Sequence, residues 1–250
     1  MPVDALALPA HAKLNLDLRV LGVERDGYHR ILTRMQTLSL HDLLVVARAA
    51  RTTLAGGVDD DLVLRAAREL EAETGRSLPA RFVLHKRIPA GAGMGGGSAD
   101  AATALRGLAR LHDLDVDLDA VAYRVGADVP FALRGGSMQG AGRGERLRPA
   151  PAATGWFALA WPGFGVSTGA AYQTWDQVGG DGENELTRAA VAVEPRLVAF
   201  SERLGPGWRM TGSGSAFFRP CSSRRQAEAA IRGLCCWTAV AEPIGSLGPS

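Results

Sequence analysis

At 250 residues the chain has room for one large domain or two modest ones, and 46% hydrophobic against 22% charged residues is an ordinary globular balance able to fill a core. A formal net charge of +2 gives no electrostatic reason to invoke a nucleic-acid partner, and no apolar run approaches the roughly eighteen residues of a membrane span. Met1 to Leu8 holds Asp4 and no basic segment, so no secretory leader is expected there, and Cys221, Cys235 and Cys236 lack metal-ligand spacing and read as reduced thiols of a cytoplasmic protein.

Residues 12–21 alternate, with Leu14, Leu16, Leu18 and Val20 on one side and Lys13, Asn15, Asp17 and Arg19 on the other, which predicts a half-buried strand. The Asp26-Gly27 turn leads to a second extended stretch over about 30–49. Asp60 or Asp61 is placed to cap a helix with Leu62, Ala66 and Leu70 on one face, ending at Gly75. A strand is expected over 81–86, then a glycine loop and a helix to about 112. A helix over 117–125 stops at Gly126, and strand-like pieces follow near 131–148. Pro149 to Ala153 reads as a linker. Beyond it come a buried strand at Phe157–Trp161, helices near 186–192 and 196–204 broken by Pro195, strands flanking Thr211–Ser215, a helix over 223–234, a strand near 237–241, and a loose tail from Pro243. Strands and helices mix without a strict βαβ rhythm, so the fold class is α+β, with domains expected at 1–150 and 151–250.

Of the 28 basic residues only Lys13 and Lys86 are lysines. A lysine that survives in so arginine-rich a chain suits a site needing a compact, rotatable ammonium rather than a planar fork. Lys86 opens the run KRIPAGAGMGGGSADAA, in which five glycines fall between Gly91 and Gly97 and Ser98 stands where a helix begins. Glycines let a backbone approach a ligand closely, and a helix start offers free N–H groups and a positive dipole end, a combination suited to phosphate. A P-loop is excluded because Gly97 stands where the lysine of that motif belongs. Gly91, Gly93 and Gly96 fit a dinucleotide fingerprint, but no strand ending in an acid follows at the required distance. A flexible linker is disfavoured by Pro89 on one side and a periodic helix on the other.

The remaining reading is the phosphate loop of the GHMP kinases, which the segment from Lys86 to Ala102 resembles, and within them its long GxGGGS form is similar to that of the 4-diphosphocytidyl-2-C-methyl-D-erythritol kinase family. Three further segments agree in order. Pro9 to Asn15 with Asp26-Gly27-Tyr28-His29 resembles the family's first motif, Gly126 to Phe131 its catalytic segment, and Thr211 to Ser215 its third motif. The resemblance covers nearly the whole chain. It implies a two-domain GHMP kinase fold, ribosomal-S5-like at the N-terminus and ferredoxin-like at the C-terminus, with the active site in the cleft between.

The implied reaction moves the γ-phosphoryl of ATP, with Mg²⁺ and no dedicated protein metal site, to the 2-hydroxyl of 4-diphosphocytidyl-2-C-methyl-D-erythritol. Such a transfer needs alignment, charge neutralisation and a proton acceptor. By resemblance Asp128 is the base and Lys13 its partner. Read without the motif, Asp128 is a turn or helix-capping residue and Lys13 a solvated strand lysine. The ATP-binding residues carried over are Lys86, Pro89, Ala90, Gly91, Ala92, Gly93, Met94, Gly95, Gly96, Gly97, Ser98 and Ala99. On the substrate side stand Asn15, Tyr28, His29, Thr168 and Tyr172, the two tyrosines sandwiching cytosine and the histidine reading its polar edge. Tyr172 reads equally as an ordinary core aromatic. Two departures from the family are Ala99, where a second serine is usual, and Asp61, where Asn is frequent near the purine pocket. The rivals are another GHMP kinase acting on mevalonate, homoserine or a sugar, and a non-catalytic S5-like nucleic-acid module. The expected partner is the small-molecule substrate alone, without nucleic acid or membrane, for a monomer or homodimer.

Overall fold

The structure, a computed structural model, describes residues 4–57 and 61–247. Two long strands organise the first half. β1 (Ala5–Val23) and β2 (His29–Arg48) run antiparallel and are joined through the turn at Gly27, whose φ of +84° needs glycine. The other edge of β2 pairs with β4 (Ala80–His85) over Leu43–Arg48 and with β5 (Ser137–Gly142) over Ile31–Gln36. β3 (Thr53–Ala55) adds parallel to β4, and β6 (Arg146–Pro149) adds antiparallel to β5, completing six strands.

The alternation read in 12–21 does not survive intact. Register shifts fall between His11 and Lys13 and between Asn15 and Asp17, and Lys13, Leu14, Asn15 and Leu16 are all buried. A half-buried strand was the expectation. Here both faces are covered, because the glycine loop and the Thr211 turn lie on the polar side.

Four helices accompany this sheet. α1 (Leu62–Thr74) begins at Asp61, whose carboxylate accepts from the Val63 N–H at 2.9 Å, and ends at Gly75 with φ +63°; Asp60 lies outside the described residues. α2 (Gly96–His112), α3 (Leu118–Val125, capped by Asp117) and α4 (Val129–Arg134) follow. Leu44, Val46 and Phe82 of the sheet share one core with Leu70 of α1, Leu105 and Leu108 of α2 and Val121 of α3. α4 replaces the first of the strand-like pieces expected over 131–148. Pro130, tolerated in a first helical turn, and Gly135 bound it to six residues, too few to display a helical period.

From residue 156 a second antiparallel sheet forms in the order β10 (Trp237–Ala241), β7 (Trp156–Trp161), β9 (Phe217–Cys221), β8 (Arg209–Met210). Its helices are α5 (Thr168–Val178), α6 (Thr187–Val193), α7 (Arg196–Leu204) and α8 (Arg224–Ile231). α8 is shorter than the helix expected over 223–234, and α5 was not expected. The described part of the expected tail, residues 243–247, is tied down rather than loose. Ile244 N–H donates to Thr37 O at 2.9 Å, Leu247 N–H to Arg134 O at 3.0 Å, and buried Gln36 donates to Ile244 O at 3.0 Å. Among the described residues no helix is long and apolar enough to cross a membrane.

Candidate active site

β1 supplies two buried polar groups. Lys13 Nζ donates to Asn15 Oδ1 at 2.5 Å and lies 3.4 Å from Asp128 Oδ2. Asn15 Nδ2 donates to Thr33 Oγ1 at 2.8 Å, which turns the amide oxygen toward the lysine, and Asn15 N–H donates to Thr211 Oγ1 at 2.9 Å. Asp128 does stand at the N-cap position of α4, as a capping reading requires. Its side chain makes no cap hydrogen bond, however, and pairs with Lys13 instead. At 34% exposure the carboxylate reaches the cleft, where it can accept a proton.

The glycine loop is stitched to both halves of the molecule. Lys13 N–H donates to Met94 O at 2.9 Å, and Ala216 N–H to Ala92 O at 3.0 Å. At Gly93 (φ +75°) a Cβ would stand 2.6 Å from Thr211 O and 2.9 Å from Gly214 O, so the loop abuts the second glycine turn at backbone distance. At Gly95 (φ +68°) a Cβ would stand 2.9 Å from Lys13 Cγ. Gly95 precedes α2 without a side-chain cap, which leaves the first-turn N–H groups of that helix open to an anion. Ser98 lines the cleft in that first turn, whereas Ala99 is buried and does not line it.

Lys86 is held from two sides, by Asp42 Oδ2 at 2.5 Å and Asp100 Oδ2 at 2.7 Å. Asp42 is fully buried, and its Oδ1 also accepts the N–H groups of Arg87 and Ile88. Burial pulls the Lys86 ammonium down, but Asp100 and Asp42 together outweigh it and its pKa is raised. Burial pushes the Asp100 carboxyl up to about 7 against the attraction of Lys86, with Asp42 and Asp61 adding to the rise. Asp100 Oδ1 is buried with no hydrogen-bond partner.

The far wall comes from α5. Thr168, Tyr172, Trp175 and Asp176 fall at i, i+4, i+7 and i+8, one helical stripe. Thr168 Oγ1 and Ser213 Oγ are 2.8 Å apart. The rings of Tyr172 and His29 lie 4.9 Å apart at 32°, Trp175 meets His29 edge-on at 6.0 Å, and His29 Nε2 is 2.8 Å from Asp176 Oδ1. Burial, and secondarily the charge of Asp128, raises the Tyr172 phenol. Tyr28 is exposed, and the Arg143 guanidinium lies 3.6 Å from its ring centre. One cleft of about 940 Å³ runs from Gly56, Asp61, Leu62 and Leu84 along the glycine loop to Tyr28 and Tyr172.

A model of the GHMP kinases N terminal domain matches residues 61–136. The 4-diphosphocytidyl-2-C-methyl-D-erythritol kinase of Ralstonia nicotianae is 39% identical, covering 91% of this chain and 89% of its own, and that of Alkalilimnicola ehrlichii is 37% identical over 90% and 86%. The chain belongs to the 4-diphosphocytidyl-2-C-methyl-D-erythritol kinase family. A crystal structure of a 4-(cytidine 5'-diphospho)-2C-methyl-D-erythritol kinase superposes with a TM-score of 0.78 at 33% identity, covering 95% of this chain and 99% of the other. A mevalonate kinase superposes at 0.68 with 9% identity, which speaks for the GHMP fold alone.

Within this kinase fold every residue singled out from sequence lines the cleft except Ala99. Tyr172 packs both against His29 and against the apolar cluster of Leu18, Val20, Ile31 and Leu186, as a core aromatic would, while also lining the cleft, and one face of Tyr28 is taken by Arg143. Asp61 also lines the cleft and serves as the α1 cap. Sequence reading missed Asp42 and Asp100 as the partners of Lys86, Arg143 above Tyr28, and Asp176 beside His29. For Asp176 the sequence does carry a signal, the eight-residue step from Thr168 through Tyr172, but it is readable only once 168–178 is known to be helical.

Proposed function

We propose that the protein transfers the γ-phosphoryl group of ATP to the 2-hydroxyl of 4-diphosphocytidyl-2-C-methyl-D-erythritol, giving the 2-phosphate and ADP, as a cytoplasmic step of the methylerythritol phosphate route to isoprenoid precursors. The observation that carries this reading is the Lys13–Asp128 pair, 3.4 Å apart, lying between an uncapped helix start and a wall of Tyr28, His29 and Tyr172. Asp128 takes the hydroxyl proton as the oxygen attacks, a contribution typically worth ~10²–10⁴ in rate. Lys13, oriented by Asn15, balances the charge that builds on the acceptor oxygen and the moving phosphoryl group. The first-turn N–H groups of α2 and the glycine backbone receive the phosphates, and Gly56, Asp61, Leu62 and Leu84 flank the nucleotide end.

Among the described residues no group of three or more His, Cys, Asp or Glu side chains could hold a metal ion. The chemistry Mg²⁺ supplies when bound with the nucleotide is neutralisation of phosphate charge. Ser98 and the unpartnered Asp100 Oδ1, both lining the cleft, fit the part of its protein ligands. The break between the sheets, from Pro149 to Trp156, supports an S5-like domain over 1–150 and a ferredoxin-like domain over 151–250.

Coupled ADP release with the cytidine diphosphate substrate, mevalonate and homoserine tests the assignment. Turnover of the cytidine substrate alone is expected. Turnover only with a non-nucleotide alcohol would overturn it.

A further inference from the structure

His29 is fixed by three residues of one helix. Tyr172 covers one face, Trp175 meets it edge-on, and Asp176 Oδ1 engages Nε2 at 2.8 Å. A carboxylate only accepts, so Nε2 must carry a proton in this contact. The other ring nitrogen, Nδ1, makes no hydrogen bond to any described residue, and His29 lines the cleft. In a neutral imidazole the nitrogen opposite the N–H is a lone-pair acceptor, and the partner of the first nitrogen decides which tautomer is held.

We infer that Asp176 is a specificity-determining positioning residue, which holds His29 as its Nε2–H tautomer so that Nδ1 offers a lone pair to a pyrimidine carrying an exocyclic amino group. Cytosine presents an N4 amino donor at that edge. Uracil presents a carbonyl oxygen in the same place, so two lone pairs would face each other and the buried acceptor would go unpaired, which a polar site penalises strongly. Stacking on Tyr28 or Tyr172 cannot make this distinction, because every base has a π-face. The inference rests on the cytidine-substrate reading, and the tautomer it requires is observable without any substrate.

Nitrogen-15 NMR of the histidine rings of the full chain at pH 8 reads the tautomer directly, with His29→Gln to assign the signal. The wild type is expected to show protonated Nε2 and bare Nδ1, and Asp176→Ala a larger Nδ1–H fraction. Asp176 is 42% exposed, so the fold should tolerate its loss. In steady-state assays the preference in kcat/KM for the cytidine substrate over its uridine counterpart should fall at least about tenfold in Asp176→Ala, equivalent to ~1.4 kcal/mol. Asp176→Asn, whose carboxamide oxygen still accepts from Nε2, should fall between the two. A wild-type His29 protonated at Nδ1, or an unchanged preference in a folded Asp176→Ala, overturns the inference. A wild type that ignores the cytidine substrate while showing the expected tautomer overturns the functional reading and leaves Asp176 as an orienting residue for some other acceptor of amino donors.

Discussion

Gly95→Ala separates the catalytic role of the loop from its role in folding. The new Cβ would stand 2.9 Å from Lys13 Cγ and 3.0 Å from Lys13 Cε, whereas carbon atoms settle at about 3.5–4.0 Å. The lysine stem must therefore move by about 0.5–1 Å. Its backbone is pinned by the N–H on Met94 O, so a displaced Cε carries the ammonium off Asn15 and away from its place beside Asp128. A misplacement of about 1 Å can cost on the order of 10² in rate. The left-handed backbone at φ +68° adds about 1–2 kcal/mol of strain for a residue with a Cβ. At about 2–4 °C per kcal/mol for a chain of this size, Tm should drop roughly 2–8 °C, leaving a folded enzyme. Coupled ADP release gives kcat and differential scanning fluorimetry gives Tm. Gly97→Ala is the stability control, because the nearest atom to its Cβ is Leu62 Cδ1 at 3.6 Å and its Tm should hold. A folded Gly95→Ala with wild-type kcat would refute the claim that Lys13 takes part in the transfer.

Asp128→Asn should lower kcat by ~10²–10⁴ with KM for ATP little changed, and a near-normal kcat would remove Asp128 as the base. Tyr172→Ala should raise KM for the cytidine substrate about 5- to 150-fold, from ~1–3 kcal/mol of stacking, without moving KM for ATP; a changed KM for ATP instead would misplace the pocket. Because folding raises the Asp100 carboxyl from its ordinary 3.8 to about 7, its contribution to stability is full below about pH 4 and is lost as pH rises through 7. Asp100→Asn should therefore flatten the fall in Tm between pH 5 and 8, and an unchanged slope would show that Asp100 is not the titrating group. Truncation after Glu242 removes the backbone ties of Ile244 and Leu247 and strips buried Gln36 of one acceptor, so Tm should fall by several degrees, at about 2–4 °C per kcal/mol; an unaltered Tm would mean the C-terminal segment adds nothing.

The parts legible in sequence were those with a local cause. Asp61, Gly75, Asp117 and Gly126 bound their helices by side-chain capping or a helix stop, and the glycine run before α2 announces a backbone that must come close to something. α5 is hard to read because its apolar set is short and interrupted by Gly169, Gln173 and Thr174: only Ala171 is fully buried, and Tyr172 and Trp175 pack partly buried against Leu18, Val20, Ile31 and Leu186. The C-terminal segment looked loose because its anchors are backbone hydrogen bonds, to which composition is blind. Asp42 and Asp100 lie 44 and 14 residues from Lys86 in sequence, and nothing local links an acid on β2 or α2 to that ammonium.

The division of the cleft walls bears on how such an enzyme can diversify. The glycine loop is bonded main chain to main chain with both halves of the molecule, so nearly any change there is felt in two places. The opposite wall is one helix, from which Thr168, Gly169, Tyr172 and Gln173 face the cleft while Ala171 packs into the core behind them. Under the proposed function, acceptor choice can drift by single substitutions on α5 while the glycine-loop floor stays fixed, which makes that helix the natural target for directed evolution toward new alcohols.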